Sequence, residues 1–197
     1  MELDKKIDPI EFVQKWFREA QDKEIRDPNA MQIATVSKNG FPSVRTVLLK
    51  DIINRNFVFY TNYESRKSRE IFETGKVAIC FYWKSINRQV RVVGEIGKIP
   101  EKLSDQYFES RSLGSRIGAW ASIQSQPLKN RETLLKRVEE FKNKFDENVP
   151  RPKHWGGFKI VPNEFEFWQD GDFRLHDRFI LKPSDHSTLW ECQRYYP

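Results

Sequence analysis

Short runs of apolar and β-branched residues, each ending at a turn signal, recur along most of this sequence. The clearest turn is Asn39-Gly40, because both residues tolerate the positive φ angles of a tight hairpin between MQIATVS and FPSVRTVLLK. A second turn is predicted at Asp170-Gly171. The other predicted strands are 56–62, 77–83, 88–99, WGGFKI, EFEFWQ, RLHDRFIL and a last strand near TLWECQ. Five or more short strands with helices inserted between them predict an antiparallel barrel with helices outside it, a mainly β fold with flanking helices.

Helical periodicity and capping residues mark the inserted helices. Asp8 is predicted to be an N-cap, because Pro9 suits the first helical position and Glu11 can complete a capping box. Gly75 is predicted to end the second helix. The predicted helices are about 8–25, 65–74, 100–111 and about 129–145.

Length and composition exclude several classes of protein. A chain of 197 residues suits one domain, and no linker or repeat divides it, so residues 1–197 are predicted to form one unit. Cys80 and Cys192 stand far apart, which is typical of a reduced protein and not of a disulfide scaffold. No apolar run approaches the roughly 20 residues of a membrane helix, and MELDKKID lacks the apolar stretch of a signal peptide. A cytoplasmic protein is expected.

The net charge of +6 is concentrated in one part of the chain. Residues 31–99 carry twelve Lys and Arg against five Asp and Glu, which is +7, whereas the segments on either side nearly cancel. A nucleic-acid binder more often shows a longer basic run or a reading motif. A basic pocket for a small phosphorylated ligand explains the local excess equally well.

The helix predicted to begin at Ser65 has two cations in its first turn. Arg66 and Lys67 oppose the helix dipole, which favours acidic side chains at this end. Together with the Ser65 hydroxyl and free backbone N–H groups, they could bind a phosphate. The alternative is that both side chains simply point into water.

A second candidate site lies in RLHDRF. If this segment is a strand, Arg174, His176 and Arg178 share one face, because side chains alternate with period two. Such a face requires an anion or an electron-rich ring, unless it is solvated with Asp177 as a neighbour. A metal site is not predicted, because the other two histidines, at 154 and 186, have no partner at ligand spacing.

A third candidate site lies on the helix at 100–111. Tyr107 and Arg111 share a face of this helix, and Ser115 lies four residues beyond. The three could hold a second phosphate. The alternative is a buried tyrosine beside an exposed arginine.

Seven segments carry motifs that recur together: RTVLLK, FYTNYESRK, RQVRVVG, YFESR, IGAWAS with the following Gln124-Ser125, WGGF and EFWQDGDFRLHDRF. With these motifs the chain resembles one known family, the pyridoxamine 5'-phosphate oxidases, from about Asp8 to its end. The resemblance implies an FMN-binding split β-barrel that forms a homodimer with FMN at the subunit interface. It also implies oxidation of pyridoxine 5'-phosphate or pyridoxamine 5'-phosphate to pyridoxal 5'-phosphate, by hydride transfer from substrate C4' to flavin N5, with O2 reoxidising the flavin to give H2O2.

The resemblance also implies the residues of the site. The implied FMN contacts are Arg45, Thr46, Val47, Leu48, Leu49, Lys50, Tyr60, Thr61, Arg66, Lys67, Gln89, Gln124, Ser125, Trp168 and Arg178. The implied substrate contacts are Lys50, Tyr107, Arg111, Ser115, Arg174, Leu175 and His176. Arg174 and His176 are the implied catalytic residues, the first orienting the substrate and the second adding a hydrogen bond. No metal, nucleic acid or membrane is expected as a partner.

Two other functions remain open at this point. One is a split-barrel oxidase of another substrate, of the kind used in phenazine biosynthesis. The other is a protein that carries FMN or pyridoxal phosphate without turnover, because a bound ring and a reacting ring need many of the same contacts.

Overall fold

A computed structural model of the chain describes residue 3, residues 7–184 and residues 189–197. His186 and most of MELDKKID lie outside these residues. The α-helices within them are α1 (Pro9–Lys23), α2 (Arg66–Thr74), α3 (Glu101–Glu109), α4 (Leu113–Ala121) and α5 (Arg131–Phe145). The strands are β1 (Ala30–Val36), β2 (Pro42–Leu48), β3 (Asp51–Ile53), β4 (Asn56–Asn62), β5 (Lys76–Trp83), β6 (Arg88–Lys98), β7 (Trp155–Gln169), β8 (Asp177–Pro183) and β9 (Trp190–Tyr195). No helix in the described ranges is long and apolar enough to span a membrane.

All strand pairs are antiparallel, and the sheet curls into a half-barrel with the helices flanking it. The sheet order is β2-β1-β5-β6-β7-β4-β3, and β8 and β9 extend from β7. WGGFKI and EFEFWQ form one strand, β7, which pairs with β6 along one edge and with β4 and then β8 along the other. The mainly β prediction is confirmed. The one-domain organisation stays a prediction, which the pairing of β7 with both earlier and later strands supports.

Aromatic side chains fill the interior between the curled sheet and α1. Phe57, Phe81 and Phe165 from three different strands are fully buried there. Trp16 of α1 packs edge-on against Phe167 of β7, with ring centroids 5.4 Å apart. Burial of such rings is a large favourable term in folding, so this packing holds α1 against the sheet.

The first helix begins where the sequence predicts and ends two residues early. The Asp8 carboxylate accepts hydrogen bonds from the N–H groups of Ile10 and Glu11, at 2.9 and 3.4 Å. The helix ends at Lys23, because Glu24 has extended backbone angles. The side chain of Ile25, predicted inside the helix, is 95% exposed. Another helical turn would bury no further apolar side chain, so packing would not stabilise it.

The segment after residue 100 forms two helices where one was predicted. Helix α3 ends at Glu109, and Ser112 then caps α4 by accepting a hydrogen bond from the Ser115 N–H at 3.4 Å. Ser115 therefore belongs to α4 and does not trail behind α3. The new cap redirects the chain and brings a second helix to the same side of the sheet.

The predicted strand through RLHDRF is wrong in its first half. Residues Asp172–Arg174 form a 3-10 turn, and strand β8 begins only at Asp177. Phe173 and Arg174 have φ angles of 56° and 66°, in the left-handed region where side chains do not alternate across a sheet. Arg174, His176 and Arg178 therefore do not share a strand face.

The backbone of β7 lies so close to Gly94 of β6 that only glycine fits there, and this contact predicts the effect of a substitution on stability. A Cβ atom at Gly94 would lie 2.2 Å from the backbone oxygen of Val161, at the β-bulge where β6 and β7 shift register. We expect Gly94→Ala to lower the free energy of unfolding by about 2 kcal/mol or more, because backbone cannot move aside as a flexible side chain does. Gly97→Ala in the same strand is the control, because nothing lies within 4 Å of its Cβ position. Denaturant unfolding at one protein concentration measures both, and equal midpoints would contradict the prediction.

Candidate active site

A cavity of about 720 Å³ opens between the end of β2, the end of β4, and helices α3 and α4. It collects eight of the predicted FMN contacts, which are Thr46, Val47, Leu48, Lys50, Tyr60, Thr61, Lys67 and Gln124. The same cavity is lined by the predicted substrate contacts Lys50, Tyr107, Arg111 and Ser115. The two predicted phosphate sites therefore meet in one space.

Lys67 is a buried cation on the wall of this cavity. Its side chain donates hydrogen bonds to Thr61 Oγ1, Ser65 Oγ and Gln124 Oε1, at 2.8, 2.9 and 2.9 Å. The residue is only 8% exposed, and burial, with a smaller contribution from the Arg45 charge, lowers its pKa to about 8. All three acceptors are uncharged, so the positive charge of Lys67 is not neutralised within this group.

The neighbouring cation, Arg66, is held differently from Lys67. Its Nε donates to Glu70 Oε1 at 2.8 Å, one turn along α2, and the side chain is more than half exposed. Ser65 caps α2 without a side-chain bond to a backbone N–H. The sequence predicted Arg66 and Lys67 as a pair, but helical geometry turns them in different directions.

Glu70 links Arg66 to a second predicted FMN contact, Arg45. The Arg45 guanidinium lies 3.6 Å from the buried Glu70 carboxylate, which also accepts hydrogen bonds from Ser43 and Thr35. Burial alone would raise the pKa of Glu70, but bonds from Ser43, Thr35 and Arg66 outweigh it and bring the pKa to about 2. The carboxylate is therefore ionised and holds two arginines beside the cavity.

Arg111 also lines the cavity, and its guanidinium lies against aromatic rings. Its guanidinium carbon is 4.6 Å from the Trp155 ring centroid and 5.6 Å from that of Phe108. The buried Arg111 Nη1 has no hydrogen-bond partner among the described residues, and burial lowers the pKa of this side chain. Arg88 Nε and Arg116 Nε are also buried without a partner, so what distinguishes Arg111 from these two arginines is that its side chain lines the cavity as well.

Three other predicted FMN contacts form a separate group on the outer face of the sheet. Gln89, Trp168 and Arg178 are neighbours across β6, β7 and β8, because Gln89 pairs with Trp168 and Trp168 pairs with Arg178. Arg178 donates to both oxygens of buried Glu166, at 3.0 and 3.1 Å, which raises the pKa of the guanidinium. These three side chains are not part of the lining of the 720 Å³ cavity.

The predicted catalytic residues lie beside this outer group. The His176 ring is 4.7 Å from the Trp168 ring, and its Nδ1 is 2.9 Å from Asp170 Oδ1. Arg174 and Leu175 are exposed on the turn before β8. Leu175 and His176 line a different cavity, with the C-terminal residues.

Four predicted FMN contacts lie in neither group: Arg45 and Arg66, which Glu70 holds, and Leu49 and Ser125. Leu49 is buried in the core, and Ser125 is exposed with a φ angle of 67°. Both are chain neighbours of residues that line the cavity. Their backbone, and not the Leu49 side chain, is the part that could reach a ligand.

Several lining residues of the cavity were not predicted as site residues. Trp155 was noted only as part of WGGF. The small residues of α4 and its end were also missed, although their spacing of three and four places them on one helix face with Ser115: Gly118, Ala119 and Ser122. That spacing is the signal that would have found them, once α4 was recognised as a helix.

Comparison with known proteins gives the family. A family model described as "Pyridoxamine 5'-phosphate oxidase" matches residues 17–145, and one described as "Pyridoxine 5'-phosphate oxidase C-terminal dimerisation region" matches residues 155–197. A relative named pyridoxine/pyridoxamine 5'-phosphate oxidase, from Bartonella quintana (strain Toulouse), is 49% identical over 191 residues, covering 96% of this chain and 92% of the relative. The protein of that name from Ruegeria sp. (strain TM1040) is 48% identical over 190 residues, covering 96% and 94%.

Solved structures agree with the fold. PhzG from Burkholderia lata 383, in complex with tetrahydrophenazine-1-carboxylic acid, has a TM-score of 0.90 and 28% identity, covering 100% of this chain and 98% of that one. A pyridoxamine 5'-phosphate oxidase-related, FMN binding protein from Nostoc punctiforme PCC 73102 has a TM-score of 0.76 and 16% identity, covering 98% and 100%. The split-barrel prediction is confirmed. The resemblance seen in the motifs is confirmed as well, and the chain belongs to the pyridoxamine 5'-phosphate oxidase family.

Proposed function

We propose that this chain oxidises pyridoxine 5'-phosphate or pyridoxamine 5'-phosphate to pyridoxal 5'-phosphate, with FMN as cofactor. The observation that carries the proposal is Arg111, a partly buried arginine that lines the cavity, stacks on Trp155 and has an unpartnered Nη1. Lys50, Tyr107 and Ser115 line the same cavity and add an ammonium and two hydroxyl groups. These groups are what a phosphate requires. Family membership and the named relatives support the rest of the reaction.

Lys67 and the residues around it fit the phosphate of FMN. Lys67 is cationic, buried and surrounded by uncharged oxygens, so a bound dianion would meet an unneutralised charge. Arg45 and Arg66 stand beside it, held by Glu70. Bound FMN supplies a flavin that accepts a hydride and returns the electrons to O2 as H2O2. The residues of this chain bind the two phosphates and thereby set the position of one ring against the other.

The site is proposed to be completed by a second subunit. The region matched as a dimerisation region includes Arg174, His176 and Arg178, which lie outside the lining of the cavity in the same chain. In a two-fold dimer, the outer group of one subunit can face the cavity of the other. Arg174 and His176 of the second subunit would then orient the substrate, while Gln89, Trp168 and Arg178 would contact the flavin.

A cytoplasmic location is part of the proposal. Cys80 and Cys192 are both free thiols, as is usual in a reducing compartment. The substrates and O2 are small molecules, and neither nucleic acid nor a membrane is needed.

The leading alternative is oxidation of a phenazine precursor, which the 0.90 TM-score to PhzG favours. The two functions differ in whether the substrate carries a phosphate group that the site must bind. A substrate without phosphate gives no reason to bury Arg111 without a hydrogen-bond partner for Nη1.

An absorption spectrum tests the proposal directly. The purified protein should be yellow, and denaturation should release FMN. Anaerobic addition of pyridoxine 5'-phosphate should bleach the flavin band in a single turnover, and O2 should restore it. Colourless protein without FMN affinity would contradict the cofactor assignment. Bound FMN that the substrate does not bleach would identify a carrier and not an oxidase.

Lys67 makes FMN binding sensitive to pH. The ammonium form attracts the phosphate, and its pKa of about 8 in the free protein means that it loses its proton as the pH rises through 8. We therefore expect the FMN dissociation constant to increase by about tenfold between pH 7 and pH 9. Lys67→Arg should remove this dependence, because arginine stays charged throughout. Fluorescence titration of FMN-free protein measures both, and a flat wild-type profile would contradict the role of Lys67.

A further inference from the structure

We propose that Trp155 is a positioning residue that holds Arg111 for the substrate phosphate and so sets the preference for phosphorylated over unphosphorylated substrates. The inference rests on the proposed function and assigns a role to a residue of the same cavity. Trp155 lines the cavity, and its ring face contacts Arg111. It acts on the substrate through that arginine.

The first observation is the way in which Arg111 is held. Its guanidinium carbon lies 4.6 Å from the Trp155 ring centroid, within the range of a cation–π contact. Phe108 gives a second, longer contact at 5.6 Å. Arg111 forms no ion pair with any residue in the described ranges, so aromatic faces replace the carboxylate that buried arginines usually have.

The second observation is that the Trp155 ring is itself fixed in orientation. Its plane lies within 3° of the Tyr107 ring and within 9° of the Tyr60 ring, and Phe108 packs against it edge-on. Trp155 is 7% exposed and begins β7, where it pairs with Asn62 of β4. A ring confined on several sides offers one face to the guanidinium.

A ring face leaves the N–H donors of Arg111 free, whereas a carboxylate partner would not. A carboxylate partner would occupy two N–H donors of Arg111 and would repel a phosphate. A ring face attracts the cation but uses none of its in-plane donors, which stay available to the ligand. This arrangement gives a partly buried cation that is held in place and still has an unpartnered Nη1.

The rings also connect the two predicted phosphate sites. Tyr60, a predicted FMN contact, stacks on Tyr107, a predicted substrate contact, with centroids 3.9 Å apart. Trp155 lies parallel to both rings and lines the same cavity, so it is in contact with residues of both predicted sites. A change at Trp155 that disturbed both sites would weaken FMN binding as well, so FMN affinity must be measured beside substrate affinity.

The test compares Trp155→Leu with Trp155→Phe in the FMN-loaded protein. We expect Trp155→Leu to raise KM for pyridoxine 5'-phosphate by about tenfold, as the loss of a buried cation–π contact implies, and to change kcat by less than about twofold. The dissociation constant of pyridoxal 5'-phosphate should rise equally, and that of unphosphorylated pyridoxal should not change. Trp155→Phe should recover most of the loss, because it keeps a ring face.

The matched control is Trp120→Leu. Trp120 packs on Phe141 and Phe145 in the same cluster as Trp155, but it has no ring contact with Arg111 and does not line the cavity. It should leave the preference for the phosphorylated ligand unchanged. An equal change of preference in Trp120→Leu would show that general loosening of the cluster, and not the contact with Arg111, is responsible.

A double-mutant cycle decides whether Trp155 acts through Arg111. In the Arg111→Ala background, Trp155→Leu should raise KM no further. Additive effects, or a Trp155→Leu protein with wild-type phosphate preference, would overturn the inference. If the wild-type protein oxidises neither phosphorylated substrate, it is the proposed function that fails. Equal loss of FMN and substrate affinity in Trp155→Leu would show a structural role only and would also overturn the inference.

Discussion

Hybrid dimers with Arg111→Ala in one subunit and Arg174→Ala in the other are expected to retain about half of the wild-type activity per dimer, whereas each mutant homodimer has almost none. Arg111 lines the cavity, and Arg174 lies on the exposed turn before β8, outside that lining. If each site takes Arg111 from one subunit and Arg174 from the other, this hybrid has one intact site and one that lacks both arginines.

The decisive control has the same two substitutions in the other arrangement. A hybrid of the double mutant with a wild-type subunit leaves one arginine missing from each site, so we expect almost no activity. Co-expression with two different affinity tags isolates both hybrids, and steady-state oxidation of pyridoxine 5'-phosphate at a concentration near the wild-type KM, where a site with a much higher KM is almost inactive, measures them. If each site were formed within one subunit, the first hybrid would be almost inactive and the second would have about half of the wild-type activity. That result would contradict the shared site.

Arg111→Ala should raise KM for pyridoxine 5'-phosphate by about 100-fold or more, because a phosphate loses charge-assisted hydrogen bonds from a buried guanidinium. The FMN dissociation constant should change by less than about threefold, because Lys67, Arg45 and Arg66 lie in the other group of cations. Activity toward unphosphorylated pyridoxine should be nearly unaffected, since that substrate has no phosphate for Arg111 to bind.

Arg111→Lys separates charge from geometry in this prediction. Lysine keeps the positive charge but lacks the planar fork and the flat face that stacks on Trp155. We expect it to recover only a small part of the loss. Steady-state kinetics with both substrates, together with flavin titration, provide the measurements. An equal loss for pyridoxine and its phosphate would contradict a phosphate contact at Arg111.

Local signals in the sequence predicted the backbone correctly where a few neighbouring residues determine its conformation. The Asn39-Gly40 turn, the Asp8 cap and Gly75 at the end of α2 all act over a few residues, and the structure has each element in place. The same reasoning failed after Asp170. The chain there folds into a 3-10 turn with two left-handed residues, and the alternation that predicts a strand face does not apply.

The motifs identified most residues of the candidate site but not their arrangement. They named Arg66 and Lys67 together, whereas α2 turns Lys67 toward Gln124 and Arg66 toward Glu70. They also named Gln89, Trp168 and Arg178 in one set with Lys67, although the sheet places those three on a different face. Residue types can be matched along a chain, but the direction of a side chain depends on packing.

By itself, the sequence determined the mainly β architecture, the family and the kinds of ligand that its cations suit. Strand periodicity, turn residues and motif spacing are properties of the chain order, so they are visible without coordinates. Only the tertiary structure decided which cations meet in one cavity, that Arg111 has no carboxylate partner in the described chain and lies on Trp155, and that the predicted site divides into two groups. The reason is that burial, stacking and an unpartnered donor arise from contacts between residues far apart in the chain, such as Arg111 with Trp155 and Lys67 with Gln124.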